Sequence, residues 1–147
     1  MDAQLLALVG HSLGGYAALA AGAIDPRFKA LVSIGPLVEP AAAPLSAARA
    51  LDYASLLAGV TPLQLQTQWA RLTPITALAP RLAGCPILLV TAERDELFPP
   101  EHYRGLLGAL PHLQHREIAR ADHAFSVKRE DLVELVTQWL DERMNYE

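Results

Sequence analysis

The sequence contains a single cysteine, Cys85, so no disulfide can form within the chain. A reducing compartment is the simplest setting, and a cytoplasmic location is expected. Cys85 stands just before Pro86 and reads as a small buried apolar residue rather than a nucleophile. Basic residues are scarce. Twelve Lys and Arg against 16 Asp and Glu give a net charge of −4, with no Lys/Arg-rich stripe. Nucleic acid and anionic membranes are therefore not expected partners, because both want a basic surface. No uninterrupted apolar segment approaches the ~20 residues of a membrane span. The opening residues carry Asp2 in place of a basic run, and their apolar stretch ends in Gly-His-Ser, so they do not read as a signal peptide. Repeats and low-complexity tails are also lacking, and no metal ion or cofactor is expected.

What is present is a chain of 147 residues, 52% of them hydrophobic, which fits one globular domain, residues 1–147, with a sizeable core. Three apolar runs and one more polar strand alternate with helical patterns. Leu5–Val9 runs without polar interruption and reads as a strand buried on both faces. Leu13–Ile24 is Ala-rich, reads as a helix and stops at Asp25-Pro26. Lys29–Ile34 and Pro86–Thr91 read as further buried strands, and Gln114–Ala119 as a more polar strand near a sheet edge. Between the second and third strands, Ser46–Ala58 and Pro62–Leu72 read as helices. Pro62 follows Thr61 like a first-turn proline behind an N-cap. Pro74–Leu82 suggests one more short helix. Pro99-Pro100 opens another that runs to about Leu110, and Glu130–Arg143 closes the chain as an amphipathic helix with Leu132, Val136, Trp139 and Leu140 at helical spacing. Alternating strands and helices predict an α/β fold, a three-layer doubly wound parallel sheet with its active site beyond the carboxyl ends of the strands.

Three turns on that rim carry chemistry. The first is Gly10-His11-Ser12-Leu13-Gly14, a Gly-x-Ser-x-Gly between a predicted strand and a predicted helix. A serine there sits on a sharp turn with its hydroxyl clear of the sheet, and glycines two before and two after it leave room where strand and helix approach. The Leu13 N–H, at the start of the helix, favours developing negative charge. A capping serine in a Gly-rich turn is the plainer reading. The second turn runs from Thr91 to Pro99 and contains Asp95, among Glu93, Arg94 and Glu96. The third, Arg120 to Ser126, contains His123.

Val9–Gly15 resembles the nucleophile elbow of the α/β-hydrolase superfamily. The turn around Asp95 is similar to that family's acid turn, and Asp122-His123-Ala124-Phe125-Ser126 to its histidine loop. The resemblance implies a Ser-His-Asp triad: Ser12 as nucleophile, His123 as general base, and Asp95 orienting the imidazole, in the chain order expected for the fold. It also implies the backbone N–H of Leu13 as an oxyanion donor. Asp122 is a rival acid, but its adjacency to His123 makes a bond to Nδ1 awkward. His11, His102, His112 and His115 read as surface histidines, with His11 a filler of the elbow.

The resemblance covers only the second half of the family's fold. Its members have several strands before the elbow strand, which begins here at about residue 5, so a truncated fold lacking the N-terminal strands is expected. The apolar strand Leu5–Val9 would then be an open edge, and a homodimer or higher homo-oligomer that covers it is the expected partner state. The oxyanion hole has one assured donor. Residues 36–84 occupy the place of a cap-like helical insertion, rich in Ala, Leu and Pro. Tyr53, Leu56, Leu57, Leu65 and Trp69 are candidates to line an apolar acyl or alcohol pocket, with plain packing the competing reading for most of them. A small pocket without fixed charge favours short-chain carboxylic esters as substrates of a carboxylesterase-type enzyme. The acid turn also resembles the catalytic domain of the prolyl oligopeptidase class, so a peptidase is a rival. A non-catalytic relic, or one subunit of a split hydrolase, is the competing class.

Overall fold

In the computed structural model, which describes residues 6–144, four parallel strands lie in the order β1 (Leu6–His11), β2 (Phe28–Ile34), β3 (Ile87–Ala92) and β4 (Gln114–Ile118). Each strand pairs with its successor in the chain, so every crossover moves the same way across the sheet. Crossovers of one hand then place their helices on one face. Helices α1 (Leu13–Gly22), α4 (Ile75–Leu82) and α5 (Arg104–Ala109) do share one core, packed on Leu31, Ile87 and Leu89. The other face, Ala30, Val32, Ile34, Leu88, Val90 and Ala92, is covered by α6 (Arg129–Met144) through Val136 and Trp139. Strict alternation along β2 and β3 divides the two cores, as the two-residue side-chain period requires. The result is the three-layer parallel α/β sheet expected from the sequence.

The central strands are buried throughout β3 and over the last five residues of β2, which is why they read as unbroken apolar runs. β1 departs from its expectation. Leu5 lies outside the described residues, and Leu6–His11 is half-exposed rather than buried, with Val9 at 50%. The run is apolar enough for an interior strand, but β1 is the outermost of the four. The polar β4 stands at the other edge, as expected.

Pro36 to Gly84 is not uniform. Helix α2 (Ala47–Leu56) buries only Ala50, and α3 (Pro62–Ala70) buries nothing. Thr61 and Gln64 form a reciprocal cap at the start of α3, with Pro62 in the first turn. Two side chains tie α3 down: Trp69 Nε1–H donates to the Ala43 carbonyl at 2.8 Å and Gln66 Nε2–H to the Leu45 carbonyl at 2.9 Å. Helix α4 is different, for Ile75, Ala79 and Leu82 belong to the main core. The segment expected as a cap therefore divides into a light pair, α2 and α3, and a core helix. The helix expected from Pro100 begins as a 3-10 turn, Pro100–Tyr103, before α5. No helix among the described residues is long and apolar enough to cross a membrane.

Candidate active site

Ser12 forms the whole link between β1 and α1. Its backbone has φ 57° and ψ −120°, a conformation that a residue with a Cβ rarely adopts. The Ser12 N–H donates to the Ile34 carbonyl at 2.8 Å, which ties the turn to the end of β2. Gly10 is required by contact, since a Cβ there would lie 2.0 Å from the Gly14 carbonyl oxygen. Gly14 is not, for nothing lies within 4 Å of its Cβ position. The second tight approach belongs to Gly15, whose Cβ would meet Ser33 Oγ at 2.9 Å and Pro36 at 3.0 Å. The sequence argument about the glycine after the serine thus holds one residue further along.

The acid turn leaves β3 and the histidine loop leaves β4, adjacent parallel strands, so both arrive at the same rim. Asp95 and His123 are buried at 9% and 8% exposure. Asp95 Oδ1 accepts from the N–H groups of Leu97 and Phe98 at 2.8 and 2.9 Å, and Oδ2 lies 2.9 Å from His123 Nδ1. Burial pushes the Asp95 carboxyl pKa up, but the hydrogen bonds from His123, Phe98 and Leu97 outweigh it and hold the group below the usual carboxylate range. An ionised carboxylate only accepts, so the proton is on Nδ1 and Nε2 is left as an acceptor. Ser12 Oγ lies 2.9 Å from that Nε2, placed to donate its hydroxyl proton. The structure therefore brings Ser12, His123 and Asp95, from positions 12, 95 and 123, into one continuous hydrogen-bonded chain. Asp122 takes no part in it, because its Oδ1 accepts from the Ser126 N–H at 2.8 Å.

The residues around Asp95 act on the histidine loop. Glu96 Oε2 accepts from the His123 N–H at 3.2 Å, and Glu93 Oε2 from the Arg120 N–H at 2.5 Å. Two main-chain bonds run alongside, Glu93 N–H to the Ile118 carbonyl and Arg94 N–H to the Ala121 carbonyl. The charge cluster thus holds the loop that carries His123. His11, expected to be a filler, lies in the site. Its Nε2 is 2.7 Å from the His123 carbonyl oxygen and its ring centroid 4.9 Å from that of His123. Phe98 and His123 meet edge to face, with ring centroids 5.4 Å apart. His102, expected at the surface, is buried: it stacks on Phe98, and its Nε2 accepts from the Val38 N–H at 2.8 Å. His115 is half-buried and bonded to Thr91, while His112 is exposed as expected. Cys85 is half-buried, and burial pushes its thiol pKa up, the direction of an inert thiol. No local signal in the sequence marked His11 or His102, because each acts on a partner more than sixty residues away.

A cavity of about 560 Å³ opens beside Ser12 and Leu13. Tyr53, Leu57 and Trp69, expected in the pocket, line it along with Leu56 and Leu65. So does Arg49, which corrects the expectation of a pocket without fixed charge. Its volume falls within the ~300–1,000 Å³ of small-molecule sites and exceeds what an acetyl group fills. No group of three potential ligands close enough to hold a metal ion occurs among the described residues.

Residues 1–146 match the family model described as "Prolyl oligopeptidase family". No curated protein matches the sequence. Among solved structures, the chain is similar to Est1E from Butyrivibrio proteoclasticus, with a TM-score of 0.71 at 19% identity over 94% of this chain and 60% of that one. A Pyrococcus furiosus esterase gives 0.68 at 17% identity, over 97% and 54%. A monoacylglycerol lipase from Paleococcus ferrophilus gives 0.69 at 18% identity, over 95% and 69%. The likeness is one of fold, and the chain spans about half to two thirds of the length of these structures.

Proposed function

The chain belongs to the prolyl oligopeptidase family of α/β-hydrolases, and on that premise we propose that it is a carboxylesterase-type serine hydrolase that cleaves short-chain carboxylic esters. The observation that carries the reading is the relay from Ser12 through His123 to Asp95, 2.9 Å at each link, beside a mainly apolar cavity. Ser12 Oγ adds to the ester carbonyl carbon while His123 Nε2 takes the hydroxyl proton. The carbonyl oxygen becomes an oxyanion beside the N–H of Leu13, at the start of α1. Collapse breaks the bond to the alcohol oxygen, which leaves with the proton from His123, and an acyl-Ser12 remains. Water then adds to the acyl carbon with His123 again as base, and the carboxylic acid departs as Ser12 recovers its proton. Asp95 fixes the tautomer throughout and stabilises the imidazolium.

The family match supports a second reading, a peptidase using the same three residues. A panel of nitrophenyl esters of increasing chain length, run beside aminoacyl nitroanilides, separates the two. Ester hydrolysis and fluorophosphonate labelling that both vanish in Ser12→Ala support the esterase. Labelling that needs an added second polypeptide supports a split hydrolase, and no labelling under either condition supports a relic. A homodimer across the half-exposed β1, in a cytoplasmic setting, belongs to the same proposal. A monomer by light scattering at micromolar concentration would end that part of it.

A further inference from the structure

One ionised side chain lines the cavity beside Ser12. Arg49 is half-buried in a wall otherwise made mostly of Leu57, Leu65, Trp69 and their apolar neighbours. No carboxylate pairs with it among the described residues, where the ion pairs are Arg27–Asp25, His123–Asp95, Lys128–Asp131 and Arg143–Glu142. Its place on α2 adds no compensation. Arg49 is in the first turn, which contains no acidic residue, so its charge faces the positive end of the helix dipole. The cap of that helix uses only the Arg49 backbone N–H, which donates to Ser46 Oγ. A guanidinium set in an apolar wall with no anion of its own is a group waiting for an anion that comes with the substrate.

We propose that Arg49 selects esters whose acyl chain ends in a carboxylate. This rests on the serine-hydrolase reading above. The acyl part stays joined to Ser12 through both steps, whereas the alcohol leaves after the first, so an anchor on the acyl side acts throughout. The guanidinium offers a planar fork of N–H donors that matches a carboxylate. Leu57, Leu65 and Trp69 offer apolar surface for the methylenes between carboxylate and ester. Tyr53, one helical turn beyond Arg49 on α2, lines the same cavity.

The test compares two nitrophenyl esters of equal chain length, nitrophenyl hydrogen adipate and nitrophenyl methyl adipate. In the unaltered protein the charged ester has the higher kcat/KM, and added salt narrows the difference. In Arg49→Gln the charged-to-neutral ratio falls about tenfold, as loss of a charge-assisted hydrogen bond implies. In Arg49→Lys part of it is kept, and in Arg49→Glu it inverts. Thermal melts confirm that the variants are folded. A ratio unmoved in both Arg49→Gln and Arg49→Glu overturns the proposal. Binding is read separately in Ser12→Ala by quenching of tryptophan fluorescence on titration with adipate, since Trp69 lines the cavity. Adipate binding lost in Ser12→Ala/Arg49→Gln, with neither ester hydrolysed, upholds the anion site and sinks the hydrolase reading. Hydrolysis of the neutral ester without adipate binding does the reverse. Neither binding nor hydrolysis overturns both.

Discussion

The imidazole of His11 holds the main chain of His123: its Nε2–H donates to the His123 carbonyl oxygen at 2.7 Å, across 112 residues of sequence. The residue before Ser12 thereby fixes the backbone of His123. A loop set by this bond on one side and by Glu96 on the other has little freedom to carry the imidazole away from Ser12.

His11→Ala is expected to lower kcat about tenfold, the value of one hydrogen bond in the reacting arrangement, while KM changes little. His11→Gln, whose amide N–H can reach the same carbonyl, should recover part of the loss. Steady-state kinetics on one nitrophenyl ester decide it, and a rise in KM with kcat unchanged would assign His11 to substrate binding instead.

Ser12 combines a demanding role with a demanding backbone. Ser12→Ala and Ser12→Gly should both lower kcat by several orders of magnitude, ~10⁵–10⁶-fold by analogy with other serine hydrolases. Their stabilities should separate. At φ 57° a Cβ is a burden and glycine is not, so Ser12→Gly is expected to be more stable than Ser12→Ala by about 1 kcal/mol. Paired denaturant titrations measure the difference, and equal midpoints would show that the turn is unstrained.

The two glycines of the motif should respond in opposite ways to alanine. Gly10→Ala drives a methyl to 2.0 Å from the Gly14 carbonyl oxygen and is expected to cost about 3 kcal/mol or to prevent folding. Gly14→Ala adds a methyl to open space in the first turn of α1 and should raise stability by up to ~1 kcal/mol. Thermal melts of the two variants are sufficient. A stable Gly10→Ala protein would mean that strand and helix are further apart than described.

Acid stability should fall in two stages. Burial pushes the His102 imidazole pKa down, with Glu39 and Asp95 opposing in part. The unfolded chain therefore takes up a proton first, near ~6.5, and the stability from His102 is full above that pH and lost as pH falls through the lower folded value. Asp95, held below the usual carboxylate range, gives stability that is full above ~3.9 and lost at still lower pH. His102→Gln, able to accept from the Val38 N–H, should flatten the first stage and leave the second, whereas Asp95→Asn should flatten the second and, by removing a charge that holds the His102 pKa up, deepen the first. Melting temperatures from pH 7 to pH 3 test both signs, and an unchanged first stage in His102→Gln would remove His102 as its source.

The strands, the order of the rim turns and the three residues of the relay were legible because each depends on local chemistry: an unbroken apolar run, a Gly-x-Ser-x-Gly turn, an acid before Pro99. The half-exposure of β1 was not legible in its own residues, because Leu6 and Val9 are as apolar as any interior residue; its place at an open edge is expected only from the strands that the family resemblance implies should precede it. The close contact of Gly15 rather than Gly14 depends on which side of α1 faces Ser33 and Pro36. Nothing near Glu93 and Glu96 in the sequence marks their part in the site, because their partners, the N–H groups of Arg120 and His123, lie 27 residues away. Arg49 was not legible because a cation gains meaning only from the cavity it borders.

Helix α3 buries none of its residues and rests on α2 and two side-chain tethers, while the relay is anchored in the sheet. Apart from Trp69, which also packs on the main core, substitutions in that roof should leave the folding of the scaffold nearly untouched. The residues that border the cavity from that roof can therefore vary without disturbing the hydrogen-bonded chain of Ser12, His123 and Asp95.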